Sequence, residues 1–341
     1  MKIFLSDKNS RGKERPWKDY KKLSLLLSKS LKRLGQADKN ESYLKKSNTV
    51  KDCGNFLEFA TNADEHKYLT NVYFCKNRLC PTCNWRRSQV LHNQLVKIFR
   101  EVDTKLYNFY LLTLTIRNPN SDNLADSINI LLKGWNNFSR TKVFSSVAGY
   151  VKSLEIKKAK NKVDWHPHLH ILVMTEKGDK SLLIKQNIIS QWQQSAKLEY
   201  APSVDCRPIY DKKGLGLKSV LLEVSKYAVK TNAVILPDDN KQTDSNVSVL
   251  VPALHGRRLL SFGGVLRKIK KELQLEEIEN ADLINTTSEE EIKGKIIYKE
   301  WYLWNYKLQD YILYKLVDGE GREIIGDERR RILEHKEPSA A

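Results

Sequence analysis

The sequence predicts an α+β protein: a sheet flanked by helices, a Cys-rich zinc-binding module ahead of it and an accessory region at its C-terminal end. Three observations carry this reading. Runs rich in β-branched and apolar residues recur at 109–116, 150–156 and 166–173. Segments with leucines at helical spacing lie before and between them. Four of the five cysteines fall between Cys53 and Cys83.

At 341 residues the chain has room for two or three modules. Its formal charge of +18 implies a polyanionic partner, of which nucleic acid is the commonest. No apolar run is long enough to span a bilayer and the first residues do not form a signal peptide, so a soluble, cytoplasmic protein is expected. An odd number of cysteines without an export signal points to reduced thiols or bound metal rather than a disulfide framework.

Pro16 opens a helix whose apolar positions Trp17, Tyr20, Leu23, Leu27, Leu31 and Leu34 keep to one side, with Gly35 as its stop. Lysines and arginines cover its other faces; docking through the leucines is the expectation, with DNA contact open to the basic side. Residues 36–50 are polar and unpatterned and read as a linker.

Cys53, Cys75 and the pair Cys80-Pro81-Thr82-Cys83 come next. A Cys-x2-Cys pair places two thiolates on one tetrahedral ion, and Cys75 and Cys53 complete a four-sulfur zinc set, with His66 as the rival fourth ligand. Arg86 and Arg87 follow at once and are expected to be available for phosphates.

A helix over 88–100 leads to the strand 109–116, where apolar and hydroxyl residues alternate. Leu124, Ile128, Leu131 or Leu132, and Trp135 then recur at helical spacing into Phe138. The strand 150–156 passes through a polar loop into His166-Pro167-His168-Leu169-His170-Ile171-Leu172-Val173. His168 and His170 project from one side of a strand, close enough to hold one cation between two imidazoles. If the hairpin closes near Lys157 and His166, Glu155 falls opposite His168 on the same face. The third ligand is then Glu155, with His166 as the alternative.

A helix from Ser181 to about Ala196 and a strand ending near Pro208 follow. On a further helix, Leu221, Val224 and Ala228 form a buried stripe, while Glu223, Tyr227 and Lys230 share another face. Alone this trio is a bland surface group; beside a metal-binding histidine pair, Tyr227 becomes a candidate nucleophile. Residues 235–249 read as a loop. Arg257 and Arg258 precede Gly263-Gly264 and a basic helix, and an acidic stretch from Glu276 through Glu291 marks a boundary. Tyr298, Trp301, Tyr302, Trp304, Tyr306, Tyr311 and Tyr314 then suggest a small β core. No Walker motif, GxGxxG or internal repeat is present, which argues against an ATPase or a dinucleotide enzyme.

Phosphodiester cleavage needs charge neutralised on the non-bridging oxygens, a nucleophile in line and a stabilised leaving oxygen. A divalent ion on His168 and His170, attack by Tyr227 and base catalysis by Glu223 one turn away would supply these.

The run from Cys75 to Arg87, the Leu112-Thr113-Leu114-Thr115 strand, His166-Pro167-His168-Leu169-His170 and Glu223-x3-Tyr227 resemble the replication initiator (Rep) proteins of small rolling-circle plasmids of Gram-positive bacteria. These belong to the HUH endonucleases, named for two histidines separated by a bulky apolar residue. The similarity covers roughly residues 48–285. It implies an antiparallel sheet flanked by helices, Mn or Mg at the catalytic site, and nicking of a plasmid origin as single strand through a 5′-phosphotyrosine that leaves a 3′-OH primer. Glutamate-assisted hydrolysis or strand transfer would end the cycle. Implied partners are a host helicase, single-strand binding protein and DNA polymerase.

The expected division is then a basic N-terminal helix and linker (1–47), a zinc-binding Cys module (48–100), an HUH nickase domain (101–234), a basic family-like extension (235–285) and an aromatic-rich accessory region (286–341). Arg86, Arg87, Lys230, Arg257 and Arg258 are the candidate DNA contacts. A single-tyrosine HUH transposase or relaxase shares the chemistry, and a zinc-ribbon DNA-binding initiator or repressor that never cuts is the alternative from another class.

Overall fold

The computed structural model describes residues 3–9, 11–159, 163–178, 185–209, 221, 225, 233–284, 286 and 292–334. The chain forms two compact units, one of Met1–Arg86 with Asp282–Ala341 and the other of Arg87–Ala281. The first stretch supplies α1 (Trp17–Ala37), α2 (Glu41–Asp52), β1 (Phe56–Asn62), β2 (Lys67–Val72) and α3 (Pro81–Arg100), within which the unit boundary falls. The second unit carries β3 (Tyr107–Thr115), α4 (Leu124–Phe138), β4 (Val147–Lys158), β5 (Trp165–Glu176), α5 (Lys185–Ser195), β6 (Val204–Pro208), α6 (Asn240–Leu254), β7 (Leu260–Gly263) and α7 (Gly264–Glu272). The first unit resumes with β8 (Ile296–Asn305), β9 (Asp310–Asp318) and α8 (Gly326–Glu334).

The first unit holds a four-stranded antiparallel sheet in the order β2-β1-β8-β9. Side chains alternate across a strand, so Leu57 and Phe59 of β1 share their face with Tyr302 and Trp304 of β8 and Tyr311 and Leu313 of β9. Trp17 of α1 packs on that face, edge-on to Phe59 and to Trp85, with its indole N–H donating to Asp7 at 2.6 Å. The aromatic segment, read from sequence as an accessory region, thus completes the sheet begun by residues of the Cys module. Tyr306 lies in the β8–β9 turn and is exposed.

The second unit is built on a five-stranded antiparallel sheet in the order β6-β3-β5-β4-β7. Leu112, Leu114, Leu154, Leu169 and Ile171 alternate onto one face and are buried, with α4 packing on β5 and α5 on β6. Trp192 of α5 donates its indole N–H to Thr115 O at 2.8 Å. The opposite face carries threonines, histidines and a carboxylate.

Two expectations are corrected. Residues 36–50 are not a linker: α2 starts after Asn40, whose side chain accepts from Ser42 N and Tyr43 N, and it packs against α1. Its contact with α1 includes a polar pair, Ser28 and Ser47, each donating to the other's carbonyl, so no apolar stripe announces it. Residues 240–249 are likewise helical, in α6, capped by Asp239 accepting from Gln242 N at 2.8 Å. Buried Thr243 and Asn246 turn into the fold and bond to Leu236 and Val234.

The β7–α7 junction requires its two glycines. Gly264 has φ +58°, and a Cβ there would lie 2.0 Å from Ala148 O, while one on Gly263 would enter the Tyr150 ring. Gly264→Ala is expected to cost about 2–4 kcal/mol through the left-handed backbone and the overpacking together. Urea unfolding measures it, and an unchanged midpoint would show that the junction relaxes freely.

Candidate metal centres and active-site face

The register of the β4–β5 hairpin positions the first site. Lys157 faces His166, Glu155 faces His168 and Ser153 faces His170, while across the other edge of β5 Thr115 faces His168 and Thr113 faces His170. Directly opposed residues share a face, so Glu155, His168, His170, Thr113 and Thr115 converge on one side of the sheet. Glu155 Oε2 lies 3.2 Å from His168 Nε2 and 3.1 Å from His170 Nε2, and the two nitrogens are 3.0 Å apart.

The outer nitrogens fix the rings. His168 Nδ1 lies 3.1 Å from His166 O, an acceptor that places the proton on Nδ1 and leaves the Nε2 lone pair facing the triangle. His170 Nδ1 meets Thr113 Oγ1 at 3.2 Å. Burial opposes ionisation of Glu155, but the facing His168 and His170 rings outweigh it and hold the carboxyl well below the usual range. Two lone pairs and a carboxylate oxygen within 3.2 Å of one another can all reach one divalent ion at about 2.0–2.2 Å, so the residues fit a cation. His166 takes no part in the triangle. Its Nδ1 engages Asn118 Oδ1 at 2.7 Å, and burial, with His168 and Lys157 nearby, lowers its pKa to about 4.

Thr113, Thr115 and Asn118 belong to this face and were not assigned roles from the sequence. The threonines did give a signal, as the hydroxyl members of an alternating strand. Asn118 lies beyond the strand and gave none.

The second site gathers Cys53, Cys75, Cys80 and Cys83. Cys53 ends α2, Cys75 follows β2, and Cys80 and Cys83 stand at the start of α3, where the helix dipole favours thiolates. The sulfurs of Cys53 and Cys83 are 3.5 Å apart, Cys75 and Cys83 3.7 Å, Cys53 and Cys80 3.6 Å. A tetrahedral ion about 2.3 Å from each sulfur requires edges of roughly 3.8 Å, so the set fits one. His66 is exposed at the β1–β2 turn and is not among these ligands. Two α1 side chains, missed from sequence, support the cluster. Lys21, fully buried, donates to Lys51 O and Cys53 O at 2.7 Å each, and Ser24 Oγ meets Cys80 Sγ at 3.4 Å. Burial lowers the Lys21 amine to about 8 against the pull of the cysteines.

The expected phosphate contacts separate. Arg86 is buried, donating to Leu283 O at 2.8 Å and Ile284 O at 2.7 Å beneath Trp17 and Trp85. Arg87 is also withdrawn from solvent. Both expectations are therefore corrected: a guanidinium sunk in the fold is out of reach of a DNA backbone. Arg257 ties the end of α6 to α4, bonding Ala253 O, Ala125 O and Asn129 Oδ1. Arg258 is exposed. Tyr227, Glu223 and Lys230 lie outside the described residues. Among the described residues no helix is long and apolar enough to cross a membrane.

Comparison with known proteins adds a family. The family model described as "Replication protein" matches residues 66–312. A "Protein rep" of Streptococcus pneumoniae serotype 2 (strain D39 / NCTC 7466) is 36% identical over 321 residues, covering 91% of this chain and 95% of that protein. A "Protein rep" of Lentilactobacillus hilgardii is 33% identical over 323 residues, covering 92% and 99%. A shorter "Replication protein" of Staphylococcus aureus is 27% identical over 210 residues, 59% of this chain. No solved structure matches.

The two carboxylate and imidazole alternatives are separable by titration. Glu155→Ala should weaken Mn2+ binding at least about tenfold, the low end of what even outer-shell changes cause, and His166→Ala should weaken it less. Calorimetry giving the reverse order would exchange their roles.

Proposed function

The chain belongs to the replication-protein family, and from that premise we propose that it initiates rolling-circle replication of a plasmid by nicking one strand of the origin. The observation that carries the reading is the convergence of Glu155 Oε2 with His168 Nε2 and His170 Nε2, all within 3.2 Å, on one sheet face. A pure DNA-binding protein has no use for such a triangle. The sequence motif Glu223-x3-Tyr227 supports the assignment of the nucleophile.

A bound Mn or Mg ion would withdraw charge from the non-bridging oxygens of the scissile phosphate. Glu155, His168 and His170 would hold it, and the bonds from His168 Nδ1 to His166 O and from His170 Nδ1 to Thr113 keep both rings from turning. The Tyr227 hydroxyl gives up its proton to water and its oxygen attacks phosphorus; the bond to the 3′ oxygen breaks, and that oxygen takes a proton from water to become the 3′-OH primer. The tyrosine retains the 5′ end as a phosphodiester, so the bond energy is kept for later strand transfer. In the terminating reaction Glu223 accepts a proton from water, which hydrolyses a second linkage without another tyrosine.

Zinc on Cys53, Cys75, Cys80 and Cys83 is the structural metal in this reading, supported by the all-sulfur donor set. Origin DNA would be cleaved as a single strand in the bacterial cytoplasm, and host helicase, single-strand binding protein and polymerase would continue from the primer.

With Mn2+ and a single-stranded origin oligonucleotide, the protein should form a 5′-linked adduct that survives a denaturing gel. Tyr227→Phe is expected to abolish the adduct while leaving oligonucleotide affinity within about twofold, a change of roughly 0.4 kcal/mol. An undiminished adduct would remove Tyr227 as nucleophile. Stripping the thiol-bound metal should release about one zinc per chain and lower the melting temperature of the protein. Zinc-free protein with an unchanged melt would refute the structural role.

A further inference from the structure

We propose that the outward face of α1 is a duplex-DNA contact, with Lys22, Lys29 and Lys32 on the phosphates of one strand. The inference rests on the DNA-partner part of the proposed function and on nothing in the nicking chemistry.

The charge of the chain is unevenly placed. Residues 1–52 hold fifteen of the 59 Lys and Arg and six of the 41 Asp and Glu, so about a seventh of the chain carries half of the +18. Between Tyr20 and Ala37 there are five basic residues and no acidic one. Three nearby carboxylates are already engaged: Asp7 by Arg15 and Trp17, Glu14 by Ser6 and the Asp7 amide, Asp310 by Lys18, while Asp19 stands exposed on α1 one turn before Lys22. Lys21 faces inward, onto carbonyls.

Lys22, Lys29 and Lys32 make no hydrogen bond or ion pair among the described residues, Lys29 and Lys32 being exposed and Lys22 half-buried. They stand at i, i+7 and i+10, on the side of α1 away from buried Trp17, Ser24, Leu27 and Leu31. Their span is about 15 Å along the helix, the axial rise of roughly four phosphates on one strand.

The same packing chooses among polyanions. A helix lying on an anionic membrane must bury its apolar face in the lipid boundary, and the apolar face of α1 is already buried in the protein. Unpaired DNA is held by stacking as well as charge. The aromatic side chains of α1 are both spent: Trp17 is in the core, and Tyr20 stacks on Trp85 at 5.7 Å. What remains outward is cationic, which suits the evenly charged backbone of a duplex.

The test is equilibrium binding of the full chain to a short random-sequence duplex across a salt series. Lys22→Gln/Lys29→Gln/Lys32→Gln should lower the slope of log K against log salt by about 2–3, since each neutralised phosphate contributes about 0.9. A control removing the same charge at Lys105, Lys142 and Lys307, which are exposed elsewhere, should keep the slope. Matching urea midpoints establish that all three proteins are folded. Equal losses in variant and control, or no loss in either, would overturn the proposal. So would a variant that binds duplex normally but loses binding to vesicles of anionic phospholipid. A wild-type chain that binds no duplex at all would remove the DNA partner itself, and with it this contact, before any question of nicking arises.

Discussion

The pairing register of β4 with β5 is the constraint on which the catalytic reading depends. Glu155 comes from one strand and both histidines from the next, and they meet because Glu155 is paired with His168. Strand side chains alternate with period two, so a slip of one residue would send the carboxylate into the apolar layer and leave two imidazoles without it. The buried alternation of Leu154, Leu169 and Ile171 on the other face opposes such a slip. Hydrophobic packing on one side of the sheet thus sets the geometry of the candidate ligands on the other.

Much of this was legible because it rests on periodicity. The histidine triplet and the alternating strands could be read directly, while Glu155 followed only from an assumed hairpin closure between Lys157 and His166, a register the strand pairing has. The Cys set was legible for a similar reason, as a short run of one ligand type. What escaped were elements whose contacts are polar. The pairing of α2 with α1 includes Ser28 and Ser47, and α6 turns Thr243 inward together with Asn246. In a linear pattern such residues look like loop, and only the partners supplied by the fold make them core.

Basic residues show the same limit from the other side. Arg86, Arg257, Lys21 and Lys270 look like surface charge in the sequence, yet each has turned onto a carbonyl or carboxylate of its own unit. Lys270 holds Glu277 at 3.0 Å and lies over the Phe262 ring. A count of lysines and arginines therefore overstates the cationic surface. The position of each charge relative to the buried stripe of its helix separates a brace from a free cation.

The unit that holds the cysteines is discontinuous in sequence. β1 pairs on one side with β2, a few residues on, and on the other with β8, which begins at Ile296. During synthesis the first strand pair and the four thiols emerge well before the chain that completes their sheet, and the whole Arg87–Ala281 unit is made in between. The inner edge of β1 must wait through that interval with its backbone groups unpaired. At bacterial elongation rates of about 5–20 residues per second the delay lasts about ten seconds or more. A metal captured early by the four sulfurs would hold the ends of α2 and β2 together with the start of α3 during that time, acting as a clasp on a half-built module until its last strands arrive.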